Sequence, residues 1–257
     1  MTDPKFTLDQ ALGEGWQLFK RCGWRFLGLL SIGGLLIILP VMAIIGVDFA
    51  LPQGVSKQVF GALLAIASTI ITGLMELGWT YAQLKFAAGE KPTSDDLWAR
   101  AGKFWAFLGY GFIVGALAGG GVIALMLPTG LVFGLYSVSP SFPVLVLGFL
   151  LFGLGLLTAF TGLIYLNVVF MFATFFLVDQ QCGPIQALSA SFAITRGARW
   201  ELFFLLLVMK FIESILSIIV VVGHVAGLMF TRLVKTCVYR TLLAATPDED
   251  LPMPVRR

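Results

Sequence analysis

Glu76, Lys210 and Glu213 are ionisable residues set inside long apolar runs, where a charge is expensive unless it is paired or faces water. Glu76 stands nine residues before Lys85, roughly 13 Å along a helix, and Lys210 stands ten residues past Trp200, roughly 15 Å. The two therefore sit at similar depth, and Glu213 falls one turn on, on the face of Lys210. A set with Glu76 opposite Lys210 has the chemistry to bind an ion or carry protons. The alternative is architectural, with Lys210 pairing with Glu213 to fasten the bundle or snorkelling to the headgroups.

Elsewhere the residues offer little reactive chemistry. His224 is the single histidine, with no partner at metal-ligand or triad spacing. No HExxH pattern, Ser-His-Asp set or phosphate loop can be assembled. A non-enzymatic protein is expected, with no cofactor and no metal. The three cysteines, Cys22, Cys182 and Cys237, form no CxxC pattern and read as reduced, structural thiols. Gly111, Gly115 and Gly119 make a double GxxxG, which reads as a helix-packing face or, alternatively, as a hinge.

The elements that position these residues follow from composition. Of 257 residues 58% are hydrophobic and 12% charged, and the mean hydropathy is +0.94. Soluble domains carry about 25% charged residues, so a bilayer is the solvent. The fold class expected is all-α, a polytopic integral membrane protein with six transmembrane helices arranged as three hairpins. Each hairpin is preceded by a cytoplasmic-side interfacial amphipathic helix. The spans are 26–45, with Pro40 as a kink, 59–84, 107–127, one within the run 144–178, 200–222 and 225–243. As one straight helix the run 144–178 would measure about 52 Å. It must tilt, break near Thr158 to Gly162, or project its VFMFATFF end beyond the lipid.

The surface helices carry their own start signals. Thr7 and Gln10 have capping-box spacing before residues 7–22, and Thr93 and Asp96 have it before Leu97, Trp98, Ala101 and Trp105. Gly183 and Pro184 open a third, on which Ile185, Leu188 and Phe192 share a face. Pro128, Pro140 and Pro143 mark an outer loop. Trp24, Trp105 and Trp200 are interface anchors at the starts of spans.

Charge sets the orientation. The net charge of +3 is no nucleic-acid signal, because the basic residues cluster in short segments between apolar runs. Fifteen of the seventeen Lys and Arg fall on the N-terminal side or in the inner half of the sixth span, with Lys57 outside and Lys210 within. The positive-inside rule then puts both termini in the cytoplasm. Arg196, Arg199, Arg232, Lys235 and Arg240 read as topology signals facing the headgroups, with anionic lipids as their partners. The apolar run after the polar N-terminus is longer than a signal-peptide core, so no cleavage is expected.

A single membrane domain, 1–257, holds three repeat-like units, 7–89, 90–180 and 181–246, and ends in a polar tail, 247–257. Shifted by 176, residues 9–30 lie without gaps on 185–206, matching Gln10 to Gln186, Ala11 to Ala187, Leu12 to Leu188, Trp16 to Phe192 and Trp24 to Trp200. A shift of 81 lays Trp24, Phe26, Leu27 and Gly28 on Trp105, Phe107, Leu108 and Gly109. Duplication of a lead-in module and convergence on one composition both account for this.

The segments ALGEGWQLFK, FFLVDQQCGPIQALSASFAITRG and VYRTL together resemble the membrane domain appended to some bacterial glycerophosphodiester phosphodiesterases and its stand-alone six-span relatives. Pro184, Ala187, Leu188 and Ser191, with Gly197 downstream, are the most specific part. The resemblance covers nearly the whole chain and implies a bacterial inner-membrane protein. The catalytic barrel of the fused enzymes has no counterpart in these residues, so it implies no phosphodiesterase activity. The function expected is a structural, envelope-homeostasis or interaction role, with another membrane protein or a second copy as partner. The alternative is a transporter or lipid-handling protein using Glu76, Lys210 and Glu213.

Overall fold

The computed structural model describes residues 7–50, 52–218, 222–247, 249 and 251–252. Among them the chain is helical and has no strand. The helices are α1 (Leu8–Ala50), α2 (Val55–Ala87), α3 (Phe104–Val138), α4 (Phe142–Phe170), α5 (Ala173–Asp179), α6 (Pro184–Thr195), α7 (Arg199–Ser217) and α8 (Val222–Ala245). Four segments are long and apolar enough to cross a membrane: Leu8–Ala50, Val55–Ala87, Ser94–Val138 and Phe142–Asp179. α7 and α8 run 19 and 24 residues but differ in kind, since three charged residues interrupt each apolar sequence: Glu201, Lys210 and Glu213 in α7, Arg232, Lys235 and Arg240 in α8. α1 packs along α2 and α8, α3 along α4, and α7 along α8.

The three expected surface helices become three different structures. Residues 7–22 are not a separate element, because α1 runs unbroken for 43 residues, about 65 Å. Its start is as expected, with the Gln10 backbone N–H reaching Thr7 Oγ1 at 3.4 Å. Thr93 and Asp96 meet as expected too, the Thr93 N–H donating to the carboxylate at 2.8 Å. What they open is only a pair of short 3-10 turns, Ser94–Leu97 and Ala101–Lys103. α6 alone is a distinct α-helix, with Pro184 in its first turn and the Gly183 N–H held by Gln186 Oε1 at 3.2 Å.

Gly197 explains why the aligned segments diverge. It ends α6 at φ +88°, a left-handed conformation open to glycine, and turns the chain into α7. The aligned position in the first segment is Arg21, for which that conformation is unfavourable, and there the helix continues. The exposures of α6 also differ from the expectation. Of Ile185, Leu188 and Phe192 only Leu188 is buried, while Ala187, Ala190, Ser191, Ile194 and Thr195 face the core. α6 is docked into the protein rather than laid on a surface by its apolar face.

The long run after Pro143 breaks at Met171 and Phe172, inside VFMFATFF, and not near Thr158 to Gly162. Thr158 and Thr161 give their hydroxyls to the carbonyls of Leu154 and Leu157, four residues back, and α4 stays continuous there. At the true break Ser191 of α6 donates to the Val169 carbonyl at 2.7 Å. Pro128, expected in a loop, lies inside α3, which continues to Val138. Pro143 lies in the first turn of α4, and Pro40 lies inside α1 as expected.

The core is built at one end. Tyr239 is buried and ringed by Phe172, Phe175 and Phe176, with centroids 5.9, 5.2 and 5.3 Å away, and its hydroxyl donates to Asp179 at 3.0 Å. A second cluster joins Phe26, Met75, Trp79, Phe86, Leu97 and Leu233. The far halves of α1 to α4 are bare apolar helix: Leu35, Leu63, Leu131 and Leu150 are all more than half exposed. Surface of that extent and composition suits lipid.

Gly111, Gly115 and Gly119 do not pack within the chain, since a Cβ at any of them would meet nothing within 4 Å. The tight approaches lie elsewhere. At Gly78 a Cβ would fall 2.3 Å from the Leu97 carbonyl oxygen, and at Gly33 it would fall 2.7 Å from the Trp79 ring. Gly78→Ala should therefore lower the thermal midpoint in detergent, by the equivalent of about 1–3 kcal/mol. Gly115→Ala, on an open helical face, should leave it unchanged or raise it slightly. Equal midpoints for the two variants would mean that α2 is not pressed against Leu97.

Candidate functional site

A cavity of ≈ 210 Å³ lies where α2, the α4–α5 break, α7 and α8 meet. Helical spacing turns its residues inward: Glu76, Thr80 and Gln83 from α2, Lys210 and Glu213 from α7, and Leu228, Thr231, Arg232 and Lys235 from α8. Thr174 adds a hydroxyl from α5. Glu76 and Lys210, expected at similar depth, and Glu213, one turn on, thus line one cavity.

The pairing within it differs from the expected Glu76–Lys210 contact. Glu76 is taken by Arg232, whose two terminal nitrogens reach Oε1 at 3.1 Å and Oε2 at 2.6 Å. This fork-to-fork geometry is the one a guanidinium provides and an ammonium does not. The guanidinium also lies 5.1 Å from the Trp79 ring centroid, which fixes its plane. Lys210 instead donates to Glu213 Oε2 at 2.8 Å, one turn along its own helix. Its side chain is 71% exposed and that of Glu213 14%, so Lys210 sits at the rim and Glu213 inside.

Arg232 and Lys235 were expected at the headgroups, and both line this cavity instead. A signal for them existed in the depth count, since Arg232 lies eight residues inward of Arg240, roughly 12 Å, close to the depth of Glu76. Among the described residues Lys235 makes no hydrogen bond or ion pair. Gln83 and Thr231 are buried, and among the described residues Gln83 Nε2 and Thr231 Oγ1 have no hydrogen-bond partner. The Gln83 oxygen is occupied by the Thr236 hydroxyl at 3.2 Å.

Most of the other described basic residues lie near the built end. Arg240 donates to the Ala87 carbonyl and Lys103 to that of Gln181, tying α8 to α2 and the turn before α3 to the α5–α6 loop. Lys85 bonds Asp96 at 2.8 Å. Arg196 is exposed, and Arg199 bonds the Tyr165 hydroxyl at 2.7 Å while lying 4.5 Å from the Phe192 centroid. Trp24, Trp105 and Trp200 are 87%, 79% and 74% exposed, the outward placement an anchor needs. At the opposite end of α1 and α2, Lys57 bonds Asp48 at 3.2 Å. Cys182 is a free thiol whose pKa burial pushes up, so it is held protonated and unreactive. His224 is exposed, and Arg256 and Arg257, with most of the tail, lie outside the described residues.

No family model, curated protein or solved structure matches the chain.

The Glu76–Arg232 pair yields a direct test. Arg232→Met leaves a part-buried carboxylate uncompensated and should destabilise by about 1–3 kcal/mol, between the surface and fully buried cases. The exchange Glu76→Arg with Arg232→Glu should recover at least half of the loss from either single change in a thermal-unfolding cycle. A strictly additive double variant would mean that the two groups do not interact.

Proposed function

We propose that this chain is a non-enzymatic, six-span protein of the bacterial inner membrane that holds and passes a small polar solute or a lipid headgroup at the cavity between α2, α7 and α8. One observation carries the reading: five charged side chains and several hydroxyls converge on a cavity large enough for a small ligand, at a depth where uncompensated charge is costly. Fastening helices would require the Glu76–Arg232 pair alone, since Lys210 and Glu213 pair within α7. Lys235, Thr231 and the Gln83 amide nitrogen lie outside both pairs and contribute nothing to such a fastening.

The six-span reading adds α7 and α8 to the four apolar segments. Their lengths correspond to about 28 and 36 Å, enough to cross or nearly cross a core about 30 Å thick. Their charges at mid-depth have partners or a cavity, which removes the objection to burying them in a bilayer. The basic residues at the built end favour a cytoplasmic location for that end and for both termini. The resemblance to the phosphodiesterase-linked membrane domain favours the same compartment and adds no activity. An apolar groove between α4 and α7, lined by Leu157, Phe160, Ile164 and Phe203 and closed by Arg199 and Tyr165, suits an anionic lipid as neighbour.

A purely architectural or interaction role is favoured by the closed geometry of the two ion pairs. Function separates the readings. Glu76→Gln and Lys210→Met should reproduce the phenotype of a deletion strain, or abolish its associated solute flux, while the protein accumulates normally. Wild-type behaviour in both would leave the architectural role. Span number is tested in a cysteine-free background, where Ser139→Cys and His224→Cys should react with an impermeant maleimide in intact spheroplasts. Lys91→Cys and Gln181→Cys should react only after permeabilisation. Labelling of Lys91→Cys and His224→Cys from one side would remove the last hairpin from the membrane.

A further inference from the structure

We propose that the ligand of this cavity is a singly charged oxyanion, a phosphodiester or a carboxylate, held by Lys235 with Thr231 and Gln83; this rests on the reading of the cavity as a binding site.

Three cations, Lys210, Arg232 and Lys235, face two carboxylates, Glu76 and Glu213. Both oxygens of Glu76 are engaged by Arg232, and Glu213 is engaged by Lys210. A metal ion or an ammonium would meet Arg232 at Glu76 and Lys210 beside Glu213 Oε2, so it would enter against cations already in place. Counted by residue type the surplus is one basic side chain, Lys235, which makes no hydrogen bond or ion pair among the described residues. Around it lie groups able to donate: the Lys235 amine, the Gln83 amide nitrogen and the Thr231 hydroxyl, the last two without a hydrogen-bond partner among the described residues.

Gln83 and Thr231 are 1% and 8% exposed, so bulk solvent does not meet their need, and buried polar groups are ordinarily satisfied. An acceptor with one negative charge and two free oxygens answers the charge and the donors together. The exposed Lys210 side chain marks the rim, through which such a group would be admitted from lipid or from water.

The experiment uses the full chain, purified and placed in nanodiscs. In the lipid arm, native mass spectrometry compares retention of phosphatidylglycerol and phosphatidylcholine. In the soluble arm, thermal midpoints are measured in phosphatidylcholine nanodiscs with acetate or inorganic phosphate, against chloride at equal ionic strength.

The expected result is selective retention of phosphatidylglycerol, or a midpoint raised by the oxyanion, and the arm that responds identifies the source. Lys235→Met should weaken the response at least about tenfold, the share of one charge-assisted hydrogen bond, and Lys235→Arg should keep it. If Lys235→Met does not fold, Thr231→Val, which removes only a hydroxyl, should weaken it about threefold or more.

No response in either arm, or an unchanged response in both Lys235→Met and Thr231→Val, overturns the oxyanion. So does preferential binding of choline or potassium, which would leave the cavity a binding site of another class. Oxyanion binding that persists while Glu76→Gln and Lys210→Met are silent in cells would instead overturn the proposed function and keep this inference.

Discussion

A charge set among apolar helices must be matched, and in this protein that constraint joins α2 to α8 through Glu76 and Arg232. The match is bidentate and backed by the Trp79 ring, so it fixes rotation as well as proximity of the two helices. With Arg232 turned inward, helical spacing brings Thr231 and Lys235 to the same cavity. α7 then closes the cavity with a pair of its own, Lys210 to Glu213. α7 and α8 thereby present charge to one cavity together with α2.

The unevenness of the fold has a related cause. Side chains that pack on one another, the Phe172, Phe175, Phe176 and Tyr239 cluster above all, lie at the basic end, where loops and short helices must satisfy their backbone groups against the protein. Ser191 shows how, by donating its hydroxyl to the Val169 carbonyl at the end of α4. The far halves of α1 to α4 need no such partners, since each helix satisfies its own backbone and its exposed apolar side chains suit lipid. The cavity lies at the junction of these two regimes, where a polar site can be both supported and reached.

Much of the local structure was legible in the residues. Pro184 after Gly183, with Gln186 three residues on, specifies the start of α6, and Thr7 specifies that of α1, because caps act over one turn. The apolar runs marked the four long segments for the same reason that a bilayer selects them. Less legible was where helices continue. Pro128 reads as a stop but sits inside α3, and residues 7–22 read as a separate helix but merge into α1, since a proline or glycine weakens a helix without obliging it to end. The resemblance of residues 9–30 to 185–206 likewise concealed a difference in backbone that turns on Gly197 against Arg21.

By itself the sequence determined a helical chain with segments long and apolar enough to cross a membrane, the spacing of Glu76, Lys210 and Glu213 along their helices, and the need for each to find a partner. Depth and periodicity are properties of one helix and follow from 1.5 Å per residue and 3.6 residues per turn. Which cation meets which carboxylate is a property of helices in contact, and Glu76 and Arg232 are 156 positions apart. Only the tertiary structure decided that Arg232 pairs with Glu76, that Lys210 turns to Glu213, and that Lys235 is left facing the cavity. Hydrogen bonds and ion pairs act over a few ångströms in space, and composition along the chain does not encode that distance.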